Sequence, residues 1–199
     1  DGESVTEMLR EIGPYFLTVS GDAASKNFSF LCDAYLALPI DIIKRFKLVA
    51  VGSFSSNSIA SAKNKFLKAG LLESLVIFQG IDDKKLIQLY KNCELFIFPS
   101  LFEGFGIPLV EAMTYGCLIL SSNTSVMPEI CGTAAKYFNP KVVEELTYCI
   151  RYVINNPEEH KSMRENIPAQ LSRYTSERKL VCFNNWLTEV LQTNNDNRF

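Results

Sequence analysis

Glu94-Leu95-Phe96-Ile97-Phe98-Pro99-Ser100-Leu101-Phe102-Glu103-Gly104-Phe105-Gly106-Ile107-Pro108-Leu109-Val110-Glu111-Ala112-Met113 divides into three parts. Residues 94–99 are a short apolar run, rich in aromatics and closed by proline, as expected of a central parallel strand covered on both faces. Residues 100–106 form a glycine-rich turn. Pro108 suits the first helical position, where its missing N–H costs nothing, and Gly116 suits the residue just past the end. The helix between them is brief, about two turns. A strand, a glycine turn and a helix in that order place the turn at the carboxyl end of a strand, where open α/β sheets bind ligands.

Two carboxylates stand eight residues apart here, Glu103 on the turn and Glu111 in the helix. Leu109, Val110, Ala112 and Met113 surround Glu111 on both sides, which predicts a buried helix and a carboxylate in need of a partner. No basic residue lies within four positions of it. Two readings follow: Glu111 bonds a donor of the core, or it accepts from ligand hydroxyls. A ribose diol offers two adjacent O–H donors to one carboxylate, a charge-assisted pair of the stronger kind.

Working outward, Pro14 to Ser20 reads as the first strand, followed by Gly21-Asp22-Ala23-Ala24-Ser25-Lys26-Asn27 and a helix over residues 28–38 with its apolar stripe at Phe28, Leu31, Cys32, Tyr35 and Leu38. A glycine turn ahead of a helix exposes backbone N–H groups to an anion, and Lys26, placed at the helix start, adds a point charge. The residues alone favour an ordinary capped helix with a solvated lysine over a phosphate site. Strand two spans 46–52, a helix runs to Gly70, strand three spans 75–80, and Asp82 caps a helix containing Leu86 and Tyr90. Strand five spans 117–122, Pro128 opens a short helix, and 135–138 is a last short strand. Residues 140–192 read as helical, broken at Asn155-Asn156-Pro157 and Ile167-Pro168, with Phe183, Trp186, Leu187 and Val190 on the apolar face of the final helix. Strands alternating with helices throughout predict an α/β fold: a doubly wound, mostly parallel Rossmann-like sheet with helices on both faces and a helical C-terminal tail.

With 199 residues and 47% hydrophobic content the chain suffices for one large domain. Its net charge of −2, from 20 basic and 22 acidic residues, gives no electrostatic footprint for nucleic acid. No apolar run reaches the roughly 20 residues that span a bilayer, and there is no signal peptide, so a soluble, cytoplasmic protein is expected. Six cysteines occur without a C-x-x-C pair and read as reduced, buried small hydrophobes. The single histidine, His160, reads as a solvated helix-start residue, which excludes a histidine-based three-ligand metal site.

Glu103-Gly-Phe-Gly-Ile-Pro-Leu-Val-Glu111-Ala-Met-x-x-Gly116 resembles the E-x7-E signature of the retaining glycosyltransferases of family four (glycosyl transferases group 1), in their carboxy-terminal Rossmann-like domain. Phe98-Pro99-Ser100 before it, Ser121-Ser122-Asn123-Thr124-Ser125-Val126-Met127-Pro128-Glu129 after it, and Gly21 with Lys26-Asn27 near the start are similar to that family in order and spacing. The resemblance spans roughly residues 14 to 190. It implies the donor half of a GT-B hexosyltransferase that uses a nucleotide-sugar such as a UDP- or GDP-sugar, with no cofactor and no metal, in surface polysaccharide assembly. Glu103 and Lys26 would then be catalytic. Gly21, Lys26 and Asn27 would hold the diphosphate. Gly104, Phe105, Gly106 and Ile107 would let the backbone approach sugar and phosphate, Ile81 and Leu86 would border the base, and Glu111 would hold the ribose. By periodicity alone Ile81 and Leu86 are plain core and cap. Where the family often carries an arginine beside this glycine or before the lysine, this chain has Asp22 and Ser25, so a second cation comes from elsewhere or the phosphate site is weaker.

The implied domains are a linker or the tail of an upstream domain at 1–13, the nucleotide-sugar-binding domain at 14–192 and a disordered tail at 193–199. A glycan or lipid-linked acceptor would bind a missing amino-terminal domain, the full-length protein would associate peripherally with the membrane, and this chain alone would transfer nothing. The alternatives are a sugar-nucleotide 2-epimerase-like domain and a non-catalytic flavodoxin-like binding domain. No G-x-G-x-x-G follows the first strand, which disfavours a nicotinamide or flavin dinucleotide.

Overall fold

The computed structural model describes residues 5–174. The elements run α1 (Val5–Ile12), β1 (Tyr15–Gly21), α2 (Phe28–Leu36), α3 (Ile40–Arg45), β2 (Lys47–Ser53), α4 (Ser56–Lys68), β3 (Leu75–Phe78), α5 (Asp83–Asn92), β4 (Leu95–Phe98), α6 (Ile107–Thr114), β5 (Ile119–Ser122), α7 (Met127–Cys131), β6 (Ala135–Phe138), α8 (Val143–Asn155) and α9 (Pro157–Leu171). The six strands form one sheet in the order β3-β2-β1-β4-β5-β6, every pair parallel. The chain reverses its direction of winding between β1 and β4, so a ligand crevice opens where those two strands end.

Both faces are dry because the strands alternate their apolar side chains between two cores. Phe16, Leu48, Ala50, Leu95 and Ile97 enter one, beneath α2, α3, α4 and α8. Tyr15, Leu17, Val49, Val51, Phe96 and Phe98 enter the other, beneath α1, α5, α6 and α7. A continuous apolar run is what a strand buried on both sides needs, and all four residues of β4 are buried. Where β1 and β2 end side by side, Ser20 pairs with Gly52. Gly52 has φ 152°, and a Cβ there would lie 1.8 Å from the Ser20 carbonyl oxygen.

Several local readings shift. The helix expected over 28–38 ends at Leu36, and Pro39 caps a further helix, α3, that the sequence reading lacks. Lys26 is not at a helix start: it ends a 3₁₀ turn, Ala24–Lys26, and α2 begins two residues later. Pro108 is second in α6 rather than first, still within the turn whose N–H groups have no intrahelical acceptor. Gly116 follows the C-cap with φ 72°, as a helix stop requires. The break at residues 155–157 separates α8 from α9, but α9 runs on through Pro168. An interior proline costs about 3 kcal/mol. Buried Met163 and Ile167, with bonds from Arg164 to Gly116 and from Asn166 to Thr133, hold the helix across it. The stretch at 1–13 carries α1, whose Met8 and Ile12 are buried. The final helix with Phe183, Trp186, Leu187 and Val190, together with Cys182 and the tail at 193–199, lies outside the described residues. Among the described residues no helix is long and apolar enough to cross a membrane.

Candidate functional site

Two turns meet at the carboxyl edge between β1 and β4. After Gly21 the chain tightens into the 3₁₀ turn and leaves it through Asn27, which has a left-handed backbone at φ 57°. Asparagine is among the few residues that adopt it readily. Its side-chain amide donates to the carbonyls of Pro99, at 3.2 Å, and Pro140, at 2.8 Å. Asn27, expected to touch a donor, therefore joins three segments of its own chain. The Leu101 amide donates to the Ser25 carbonyl at 2.7 Å. With the turns locked this way, the Lys26 ammonium donates to both oxygens of Glu103, at 2.8 and 3.0 Å. The two residues expected to do chemistry are each other's partners.

A third loop braces Glu103 from the β5 side. The Ser122 hydroxyl donates to the Ser100 carbonyl at 2.5 Å, and that of Thr124 to the Leu101 carbonyl at 3.1 Å. The Ser125 hydroxyl donates to the Glu103 carbonyl at 3.0 Å and accepts from the Glu103 amide at 3.4 Å. Ser125 also has a positive φ, 54°. Between Glu103 and α6, the amides of Gly104 and Gly106 donate to no acceptor among the described residues. Beside the amino end of α6 they are donors for an anion.

Glu111 sits in the second turn of α6, half-buried, and pairs with no lysine or arginine among the described residues. It accepts a hydrogen bond from the Tyr90 hydroxyl at 2.8 Å. Burial first, and then the Glu111 charge, push the Tyr90 phenol above its ordinary range, so it stays a donor. A groove of about 490 Å³ opens over Glu111, lined by Phe105, Ile107, Val110, Thr114 and Tyr115. Ile81 and Leu86 are half-buried and pack against the core on this side of the sheet. Leu86 lies four residues before Tyr90 on α5, hence on the same helical face.

Asp22 turns away from Lys26. It accepts from the Ser55 amide at 2.6 Å, and hydrogen bonds from the Ser55 and Ser58 side chains hold its carboxyl below the usual range. Behind the same turn lies a cavity of about 300 Å³ whose cation, Lys65, is engaged by Asp33 at 2.5 Å and Ser29 at 2.9 Å. Gly21, Lys26, Asn27, Glu103, Gly104 and Gly106 thus converge at the crevice, with Phe105 in the turn and Ile107 and Glu111 on the helix that leaves it. Tyr90, Thr124 and Ser125 appear in the sequence reading only as members of a helix and of a loop, with no role at the site. A serine in the left-handed region leaves no local signal, and Tyr90 looks like one more apolar residue of an amphipathic helix.

Both the sequence and the fold have counterparts among known proteins. Residues 7–170 match the sequence profile of the family described as Glycosyl transferases group 1. Over 162 residues the chain is 30% identical to the serotype-specific mannosyltransferase WbdA of Escherichia coli, covering 81% of this chain and 20% of that protein. The structure of the C-terminal domain of the glycosyl transferase group 1 family protein LpcC from Francisella tularensis superposes with a TM-score of 0.74 at 18% identity, covering 85% of this chain and 91% of that one. Anabaena Alr3699/HepE, solved in complex with UDP, superposes with a TM-score of 0.75 at 18% identity, covering 95% and 52%. The chain therefore spans about a fifth of the mannosyltransferase and about half of HepE. With a family profile matched over most of its length and the fold that its members share, the chain belongs to the glycosyl transferases group 1 family.

Proposed function

We propose that this chain is the donor-binding domain of a retaining, metal-independent glycosyltransferase of family four. The observation that carries the reading is the meeting of Lys26, Glu103 and the amides of Gly104 and Gly106, which donate to no acceptor among the described residues, at the β1/β4 crevice, with Glu111 one helical turn beyond. A nucleotide-sugar placed there has its diphosphate against Lys26 and those amides, its sugar hydroxyls against Glu103, and its ribose against Glu111. When the bond between the anomeric carbon and the phosphate oxygen breaks, negative charge grows on the departing diphosphate. Fixed donors stabilise that charge without reorganising. The sequence contains no Asp-x-Asp triplet for a divalent ion, so the charge falls to Lys26 and the amides.

The donor is a hexose activated by GDP or UDP. WbdA is a mannosyltransferase, which supports mannose as the sugar, while HepE was solved with UDP. The acceptor, a glycan or a lipid-linked sugar, binds a second domain of the full-length protein at the cytoplasmic face of the membrane. The domain alone binds donor and transfers nothing.

Calorimetric titration with GDP and UDP tests the reading: saturable heat with at least one is expected, and none with either at millimolar concentration overturns it. Glu111→Gln is expected to keep the melting temperature and to weaken the nucleotide by about tenfold or more, in keeping with the roughly 1.5–3 kcal/mol of a charged hydrogen bond. Unchanged affinity would remove Glu111 from the site.

A further inference from the structure

Tyr90 belongs to none of the motifs, yet it holds Glu111. Its ring is 1% exposed, stacked on Tyr115 at 5.6 Å and tilted against Phe96 at 5.4 Å, so the hydroxyl has one place to point. It donates to Oε2 of Glu111 at 2.8 Å, while Oε1 accepts from none of the described residues. The terminal torsion of a glutamate is broad when nothing holds it. Here one oxygen is pinned, the other has no donor among the described residues, and the residue itself lines the groove.

We infer that Tyr90 is the positioning residue of the ribose contact: by occupying Oε2 it aims Oε1 at the vicinal diol of the nucleotide, and so sets the preference for ribonucleotides over their deoxy forms. The inference rests on the ribose role of Glu111 proposed above. A phenol suits the task because it supplies a donor without a second charge. A lysine at that place would neutralise the carboxylate and compete with the ligand hydroxyls for it.

The test compares GDP and UDP with their 2′,3′-dideoxy counterparts, by calorimetry, on the wild type and on Glu111→Gln, Tyr90→Phe and the double variant. The wild type is expected to favour the ribo form by about tenfold or more, and Glu111→Gln to lose most of that ratio. Tyr90→Phe should cut the ratio several-fold through the ribo form alone, leaving the dideoxy affinity in place, and the double variant should match Glu111→Gln. A wild-type ratio near one overturns the ribose role of Glu111. A wild-type ratio that falls in Glu111→Gln but is retained in Tyr90→Phe overturns the role of Tyr90 and spares that of Glu111. Should Tyr90→Phe fail to fold, the wild type labelled at tyrosine ¹³Cζ decides instead. The Tyr90 resonance, assigned through its ring contacts with Phe96 and Tyr115, must move with the ribo form and stay with the dideoxy form. Equal movement with both overturns the inference.

Discussion

Gly52→Ala is expected to lose about 4 kcal/mol of stability, which at about 2–4 °C per kcal/mol is roughly 8–16 °C in melting temperature. Two costs combine. A φ of 152° is a backbone that only glycine adopts freely, and holding another residue there costs on the order of 1–3 kcal/mol. A Cβ would also lie 1.8 Å from the Ser20 carbonyl oxygen and 2.8 Å from its carbon, far inside contact distance. The obstacle is backbone of a paired strand, so it cannot swing aside as a side chain would, and overpacking of this kind costs about 1–3 kcal/mol more. Gly70→Ala is the control: its φ of 71° is also positive but its Cβ would meet nothing within 4 Å, so about 1–2 kcal/mol is expected. Thermal denaturation of both checks the pair. A Gly52→Ala protein that melts with the wild type would mean that β1 and β2 do not end as closely as described.

Lys26→Met is expected to weaken a nucleoside diphosphate by about 10- to 150-fold, the equivalent of a charged hydrogen bond of about 1.5–3 kcal/mol, with the uncharged nucleoside unaffected. Glu103→Gln should act in the opposite direction on the same ligand. Both Glu103 oxygens are bound to the ammonium that the diphosphate requires, so the carboxylate competes with the phosphate. Even fully exposed ion pairs contribute about 0.2–1 kcal/mol, and this one is partly buried, so removing the competitor should tighten the diphosphate by at least about two- to fivefold. The intact nucleotide-sugar gains less, because it also loses the acid that meets its hydroxyls. Titration of both variants with GDP, UDP and the matching nucleosides checks this. If Glu103→Gln weakens the diphosphate as Lys26→Met does, the carboxylate belongs to the phosphate site rather than competing with it.

The sheet was legible in the chain because buried parallel strands leave apolar runs too long to be accidental, and β6 matches its expected residues, Ala135 to Phe138. Helix α3 was not legible because six residues give less than two turns for periodicity to show. Pro168 pointed to a break that buried neighbours overrode. The site divides along the same line. Glu103, Glu111 and the glycines stand out through their own spacing, whereas Lys26 and Glu103 are 77 residues apart and Tyr90 and Glu111 lie on different helices. No local pattern encodes such pairings; they follow from the strand order. The sequence left open whether Glu111 bonds a core donor or a ligand. The geometry allows both at once, one for each oxygen.

The closed Lys26–Glu103 pair has an electrical consequence. Seen from more than about 8–10 Å, the screening length of physiological salt, the crevice carries no net charge from these two groups. An approaching anionic ligand is therefore not steered in by them, and its arrival rate should respond little to ionic strength. The attraction begins on contact, when phosphate takes the place of carboxylate and the displaced acid is left facing whatever the phosphate carries with it.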